Sequence, residues 1–333
     1  MTLNPSAVAR NVVLVCDRMV PHEQIDIFTN DLECASDVTY HALEHALRTK
    51  APSLIVYSSP AELADNISTH REDIVFTTIW AGKDSRNRTI FLPAICESYG
   101  IRYVGADAYV QALCADKALA KKYCSDYGIA SAKGVTLFGE ASLGLLNNLD
   151  YPVVVKPNFE GSSIGISDNG IVNSYSEAVA MARLLLSKYP VLIAEEYLKG
   201  AEVAICIAGT RGNIDMFEVV KLEVDGRDYF DTQLWGFESK KSETSRIDHE
   251  IITDLFPRDV IAKARKLYEE FGKVDLMRID GRLDKSEFSL IELTSDASLH
   301  PECFMAFAFQ HNGLSYDDMI ACLLNQANDL PGG

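Results

Sequence analysis

The chain of 333 residues contains no apolar run of about 18 residues, and its first ten, Met1 to Arg10, lack a basic segment leading into an apolar stretch. The expectation is therefore no membrane-spanning helix, no secretory leader and a cytoplasmic location. Positive charge is scarce: 31 Lys and Arg stand against 48 Asp and Glu, a formal net charge of -17. Such a balance repels phosphodiester backbones and anionic lipid, which excludes nucleic acid and membrane as partners. The eight cysteines form no C-x-x-C pair and no Cys/His cluster at zinc spacing, so they read as small apolar fillers in a reducing compartment. His41 and His45 lie four apart on an expected helix and read as two polar helix positions rather than a metal pair. Neither G-x-x-x-x-G-K-[ST] nor G-x-G-x-x-G occurs, so any nucleotide site is of another kind.

What is present is an α/β pattern long enough for two or three units. In the first third, apolar strands at Val12–Cys16, Leu54–Tyr57 and Ile74–Thr77 alternate with helices around His41–Leu47 and Phe91–Tyr99, followed by a short strand at Tyr103-Val104. That alternation predicts parallel βαβ units. A helix from Lys117 to Tyr127, capped by Asp116 and stopped by Gly128, carries a predicted stripe of Leu119, Tyr123 and Tyr127. Further on come strands near Ala204–Ala208 and Phe217–Leu222, a polar stretch from Asp225 to Asp248 that reads equally as ordered lid or surface loop, and a helix from Pro257 to Phe271. Residues 1–114 are expected to form an α/β substrate unit, 115–200 a central unit and 201–333 a C-terminal unit.

Three segments carry chemistry. Val153-Val154-Val155-Lys156-Pro157-Asn158-Phe159-Glu160-Gly161-Ser162-Ser163-Ile164-Gly165 is a strand ending in a lysine, then a turn rich in Gly and Ser. A fixed cation followed by free backbone N–H groups and hydroxyls suits a polyphosphate, although a hairpin with a surface lysine has the same pattern. Lys117, in the first turn of its helix, opposes the helix dipole unless an anion sits there, or is mere surface. Glu195-Glu196-Tyr197-Leu198-Lys199-Gly200-Ala201-Glu202 joins two strands and offers carbonyls and carboxylates to an adenine or ribose. The third segment is Met277-Arg278-Ile279-Asp280 with Leu290-Ile291-Glu292-Leu293-Thr294. Arg278 and Asp280 share a strand face. Placing Glu292 opposite Asp280 predicts an odd-numbered loop centred on Ser286. Two such carboxylates would hold a divalent cation, or form an ordinary polar face with an Arg to Asp pair.

Taken in order, these motifs resemble the D-alanine:D-alanine ligase branch of the ATP-grasp superfamily, from about Gly100 to the C-terminus. The resemblance implies an ATP-grasp fold with an N-terminal Rossmann-like parallel sheet, and an ATP-dependent carboxylate-amine ligase working through an acyl phosphate. It makes Lys117, Lys156, Ser162, Ser163, Glu195, Leu198 and Glu202 ATP-binding residues. Arg278 becomes the stabiliser of the reacting phosphoryl group, and Ser162 a further catalytic candidate. Asp280 and Glu292 become ligands of one or two Mg²⁺ ions, which Mn²⁺ can replace, and Ser298 and Leu299 lie beside the second substrate. A dimer is common among such ligases.

The sequence also departs from the family. Thr294 stands where an Asn ligand is expected, with Asp296 as a replacement carboxylate. Lys240 or Lys241 stands for the lysine of the lid. The Gly-Gly turn with the acidic residue that receives the first D-alanine's ammonium is missing, Cys16-Asp17-Arg18-Met19-Val20 standing in its place. Trp80 to Arg88 replaces another family loop, and its Lys83, Arg86 and Arg88 suggest a pocket for an extra carboxylate or phosphate on the substrate, or a solvated basic loop. These departures favour a substrate other than D-alanine, in specialised metabolism. D-alanine:D-alanine ligation itself, and an ATP-binding regulatory protein without turnover, are the alternatives. The partners expected are a small carboxylic acid and an amine, the amine of an amino acid.

Overall fold

The computed structural model describes residues 3–20, 22, 25–29, 33–78, 86–228, 234, 236 and 246–328. Its first sheet is parallel, in the order β2-β1-β3-β4, built from β1 (Val12–Cys16), β2 (Leu54–Tyr57), β3 (Ile74–Thr78) and β4 (Arg102–Tyr103). β1 is buried along its whole length, as a central parallel strand covered on both faces must be. The helices between these strands are α1 (Asp37–Lys50), α2 (Pro60–Asn66) and α3 (Phe91–Tyr99). Ser36 caps α1 by accepting from the Thr39 N–H. Gly100, at φ 66°, ends α3 in the left-handed conformation open to glycine.

α4 (Ala108–Ala115) and α5 (Lys117–Asp126) lead to an antiparallel sheet in the order β5-β8-β6-β7. It comprises β5 (Gly134–Leu137), β6 (Val153–Pro157), β7 (Ile171–Val172) and β8 (Leu192–Glu196), with α6 (Tyr175–Leu186) packed on one face. The third sheet, also antiparallel, runs β11-β10-β9-β12-β13. Its strands are β9 (Ala201–Thr210), β10 (Asn213–Val224), β11 (Ile247–Ile251), β12 (Leu276–Asp284) and β13 (Glu287–Thr294), with α7 (Arg258–Glu270) between β11 and β12. The chain ends in α8 (Phe304–His311) and α9 (Tyr316–Asn328).

Two apolar cores join the third sheet to its neighbours. One face of β9 (Ala204, Cys206, Ala208) shares a core with Val12, Leu14, Ile74 and Phe76 of the first sheet through Ile320, Leu323 and Leu324 of α9. Each fully buried leucine here contributes roughly 1.5–3 kcal/mol. The other face (Val203, Ile205, Ile207) packs on Val110, Leu113, Ala120 and Cys124 of α4 and α5, and on α7. The cysteines behave as fillers: all eight are free thiols and all but Cys303 are buried. Among the described residues no helix is long and apolar enough to cross a membrane.

Two local expectations are corrected. The packed stripe of α5 is Lys117, Ala120, Lys121 and Cys124, while Leu119 is exposed. The helix turns Lys117 and Lys121 inward because carboxylates wait for them on β13 and β8. Asp280 does pair with Glu292, but the register slips by one immediately afterwards, Gly281 facing Leu290. The bulge at Ile291 absorbs the odd residue, so the hairpin closes through Lys285 and Ser286 between paired Asp284 and Glu287. Lys285 takes the left-handed conformation there, at φ 57°.

Candidate active site

A cavity of about 630 Å³ opens where the three sheets meet, and its wall carries nearly every described residue singled out from the sequence. β6 delivers Lys156 and β8 delivers Glu195, at diagonal positions of one antiparallel pair, Val154 facing Glu195 and Lys156 facing Ile193. The Lys156 ammonium lies 2.8 Å from one Glu195 oxygen, and Lys121 lies 2.8 Å from the other. Lys121 also donates to the Leu290 carbonyl at 3.1 Å. Burial, and then the neighbouring Lys156, outweigh the pull of Glu195 and push Lys121 down to about 8. Burial alone would raise the Glu195 carboxyl, but its two lysines hold it below the ordinary range. Lys121 was missed because the face of α5 was assigned from its apolar residues. The signal was its spacing of four from Lys117.

Lys117 is positioned by the start of α5. Asp116 caps the helix, and Asn158, just past β6, accepts from the Ala118 N–H at 3.0 Å while donating to Asp116 at 2.8 Å. These bonds fix the helix start against the end of β6. The Lys117 ammonium lies 3.0 Å from Glu292 and donates to the Glu160 carbonyl in the turn after β6. Burial would lift the Glu292 carboxyl, but Lys117 and then Lys156 hold it well below the ordinary range. Opposite, Arg278 grips Asp280 through Nε at 2.6 Å and a terminal nitrogen at 2.9 Å, a two-pronged contact. Burial, with Glu292 adding to it, keeps Asp280 above the ordinary range despite that contact. The Thr294 hydroxyl lies 3.3 Å from Asp280.

The donor chemistry here fits a divalent cation. Two hard-oxygen carboxylates face each other on adjacent strands, and two cations now balance them. Among the described residues no group of three His, Cys, Asp or Glu side chains comes together as a metal site, so a bound ion would complete its shell with phosphate oxygens and water. Asp296, the replacement carboxylate expected from the sequence, lies two residues beyond Thr294, past the end of β13. It lines the cavity, and burial raises it to about 6.

The turn after β6 is held in an uncommon shape. Ser162 and Ser163 adopt φ 49° and 60°, left-handed values that non-glycine residues take only where the surroundings impose them. Leu198 and Glu202 line the cavity beside Glu195, with Arg282 lying 3.2 Å from Glu202. Ser298 and Leu299 reach the same cavity. The Ser298 carbonyl accepts from the Cys303 thiol at 2.9 Å and that of Leu299 from the Tyr316 hydroxyl at 2.8 Å. Phe304 lies under the Arg278 guanidinium, 5.3 Å from ring centre to carbon, and stacks edge-on with His249 at 4.9 Å.

The basic loop is corrected in part. Lys83 lies outside the described residues, as do Lys240 and Lys241. Arg86 is exposed on the cavity wall, 5.8 Å above the Phe159 ring. Arg88 is not a free cation: one terminal nitrogen lies 3.0 Å from Glu33, 2.9 Å from Glu160 and 3.0 Å from the Phe159 carbonyl. Glu33, just ahead of α1, also accepts from the Gly161 N–H. Burial raises its carboxyl to about 7, Glu160 and Asp296 adding to the effect and Arg88 countering it. Glu33 thus brings a buried carboxylate from the first unit to the cavity wall, and no short motif announces it.

Comparison with known proteins matches residues 131–325 to the family described as D-ala D-ala ligase C-terminus, more than half of the chain. The D-alanine--D-alanine ligase of Thermotoga petrophila is 27% identical over 77% of this chain and 80% of its own length. That of Carboxydothermus hydrogenoformans is 23% identical over 93% of this chain and 96% of its own. Among solved structures, the D-alanine--D-alanine ligase of Bacillus anthracis complexed with ATP superposes with a TM-score of 0.70 at 18% identity, covering 96% of this chain and 97% of that one. The VanG D-Ala:D-Ser ligase of Enterococcus faecalis gives 0.69 at 20% identity, covering 96% and 100%.

Proposed function

Because the chain belongs to the D-ala D-ala ligase family of ATP-grasp ligases, we propose that it joins D-alanine, as donor acid, to the amine of a second amino acid at the expense of ATP. The observation that carries this is the convergence on one cavity of Lys117, Lys156, Arg278 and the opposed carboxylates Asp280 and Glu292. Relatives named D-alanine--D-alanine ligase and D-Ala:D-Ser ligase support an amino acid on both sides of the new bond, and the ATP complex of the Bacillus anthracis ligase supports the nucleotide. The reason to prefer another donor weakens once Arg88 is seen to be committed to Glu33 and Glu160, and Glu33 offers a carboxylate for the donor's ammonium.

In this reading ATP lies between the second and third sheets. Lys117, Lys156 and the turn Gly161 to Gly165 meet its phosphates, and Glu195, Leu198 and Glu202 meet the base and ribose. Asp280 and Glu292 would hold Mg²⁺, which when bound neutralises phosphate charge. The donor carboxylate attacks the γ-phosphorus, the bond to the β-phosphate oxygen breaks, and an acyl phosphate and ADP result. The acceptor amine, beside Ser298 and Leu299, then adds to the acyl carbon, and phosphate leaves as the tetrahedral intermediate collapses. Arg278 supplies positive charge where negative charge develops in both steps.

Exposed Arg86 on the donor side favours one second reading, a donor carrying an additional anionic group. ADP release with Mg²⁺, ATP and D-alanine, alone and paired with other amino acids, tests the proposal, with mass spectrometry of the product. Background release in every D-alanine pairing, with turnover on another acid, would reject D-alanine as donor.

A further inference from the structure

The connection between β1 and α1 grips the phosphate turn from outside. The Gly165 N–H donates to the Ile27 carbonyl at 2.7 Å, the Gly161 N–H donates to Glu33, and Phe28 stacks on Tyr189 with ring centres 6.4 Å apart. Both ends of the segment containing left-handed Ser162 and Ser163 are thus anchored, one on Ile27 and the other on Glu33. Arg88 completes the grip, joining Glu33 to the Phe159 carbonyl and the Glu160 carboxylate. Its side chain is 5% exposed and that of Glu33 is 2%. Burying a guanidinium this far is unfavourable unless several acceptors hold it, and here acceptors from two separate segments meet at one terminal nitrogen.

We propose that Arg88 is a positioning residue, which fastens the donor wall at Glu33 to the phosphate turn and so holds that turn in the shape that receives ATP. Arg88 touches no reacting atom. It acts through the two strained serines: with the turn fastened, their N–H groups stand ready before ATP arrives, and unfastened they relax towards common backbone conformations. The proposal rests on reading this turn as the cover of the ATP phosphates.

The test uses the full chain and the variants Arg88→Gln and Arg88→Lys. Amide exchange of the segment 159–166, without ligand, should quicken about tenfold in Arg88→Gln, the scale of one lost charge-assisted hydrogen bond. It should quicken less in Arg88→Lys, which keeps a positive charge and N–H donors on a shorter side chain. ATP binding by calorimetry should weaken about tenfold in Arg88→Gln. Unchanged exchange overturns the proposal, and so does faster exchange with unchanged ATP affinity. A lower melting temperature with neither change marks a merely structural ion pair and overturns it too. If Arg88→Gln does not fold, Glu33→Gln removes the same fastening from the other side and is read by the same two measurements. Neither measurement needs turnover, so an absence of ligation by the wild-type protein would reject the proposed function without touching this one.

Discussion

The cavity has two sides that handle charge differently. On the nucleotide side each carboxylate has a close cation: Glu195 has Lys121 and Lys156, Glu292 has Lys117, and Asp280 has Arg278. On the donor side Glu33, Glu160 and Asp296 share one guanidinium, and burial lifts Glu33 to about 7 and Asp296 to about 6. The first side can exchange partners when phosphate and a metal ion enter together, each incoming charge finding one of opposite sign. The second holds negative charge in excess and is completed by a cation, which the ammonium of an amino acid would supply. A ligase that must bring a polyanion and an amino acid together has use for both arrangements.

The largest effect should come from breaking the nucleotide side at the reacting centre. Arg278→Ala removes the charge aimed at the transferring phosphoryl group and strands Asp280, and the rate of ADP release should fall on the order of 10²-fold or more. A near wild-type rate would remove Arg278 from the chemistry. Lys121→Met comes next. It leaves Glu195 to draw on Lys156 alone, so Lys156 is less available to phosphate, and ATP affinity measured by calorimetry should fall roughly tenfold. Stability should fall as well, by about 1–3 kcal/mol, because the Leu290 carbonyl loses its donor. Unaltered ATP affinity would make Lys121 a core residue only.

The donor side should respond to pH instead. Since the free protein binds its Glu33 proton up to about pH 7, and a cationic donor prefers the ionised carboxylate, KM for D-alanine should rise as pH falls through about 7. The limiting slope is about tenfold per unit for one proton. Glu33→Gln should flatten that rise and leave a uniformly high KM. A wild-type profile flat from pH 8 to 5.5 would mean that Glu33 does not meet the donor's ammonium.

The same contrast marks what the sequence could disclose. The strands that carry Lys156, Glu195, Arg278 and Asp280 are legible, because each of these side chains stands in or just after a short apolar run. The parallel first sheet and the β12-β13 pairing of the third follow from the same patterns. Lys121 was hidden because its partner Glu195 lies on β8, and an acidic partner inverts the rule that the apolar face of a helix is the buried one. The bulge at Ile291 was hidden because a two-residue period carries no mark of an added residue, although it decides whether the hairpin closes through two residues or three. Glu33 and Arg88 are tertiary facts: the first belongs to a connection without a motif, the second to a basic cluster whose members have different fates.

That difference within the cluster gives the smallest effect and the finest test of the comparison. Arg86 and Arg88 are two residues apart and carry equal charge, yet Arg86 is exposed and Arg88 buried among carboxylates. Exposed charges are screened, their interactions being worth about 0–1 kcal/mol. Arg86→Glu should therefore change KM for D-alanine no more than about threefold, and 0.5 M salt, with a screening length of roughly 4 Å, should erase most of the difference. The direction carries the information. If the donor is a simple amino acid, added negative charge near a site that receives an ammonium should lower KM slightly. If the donor bears a second anionic group, the same substitution should raise KM for that acid well beyond threefold, and the two responses, measured side by side, separate the readings.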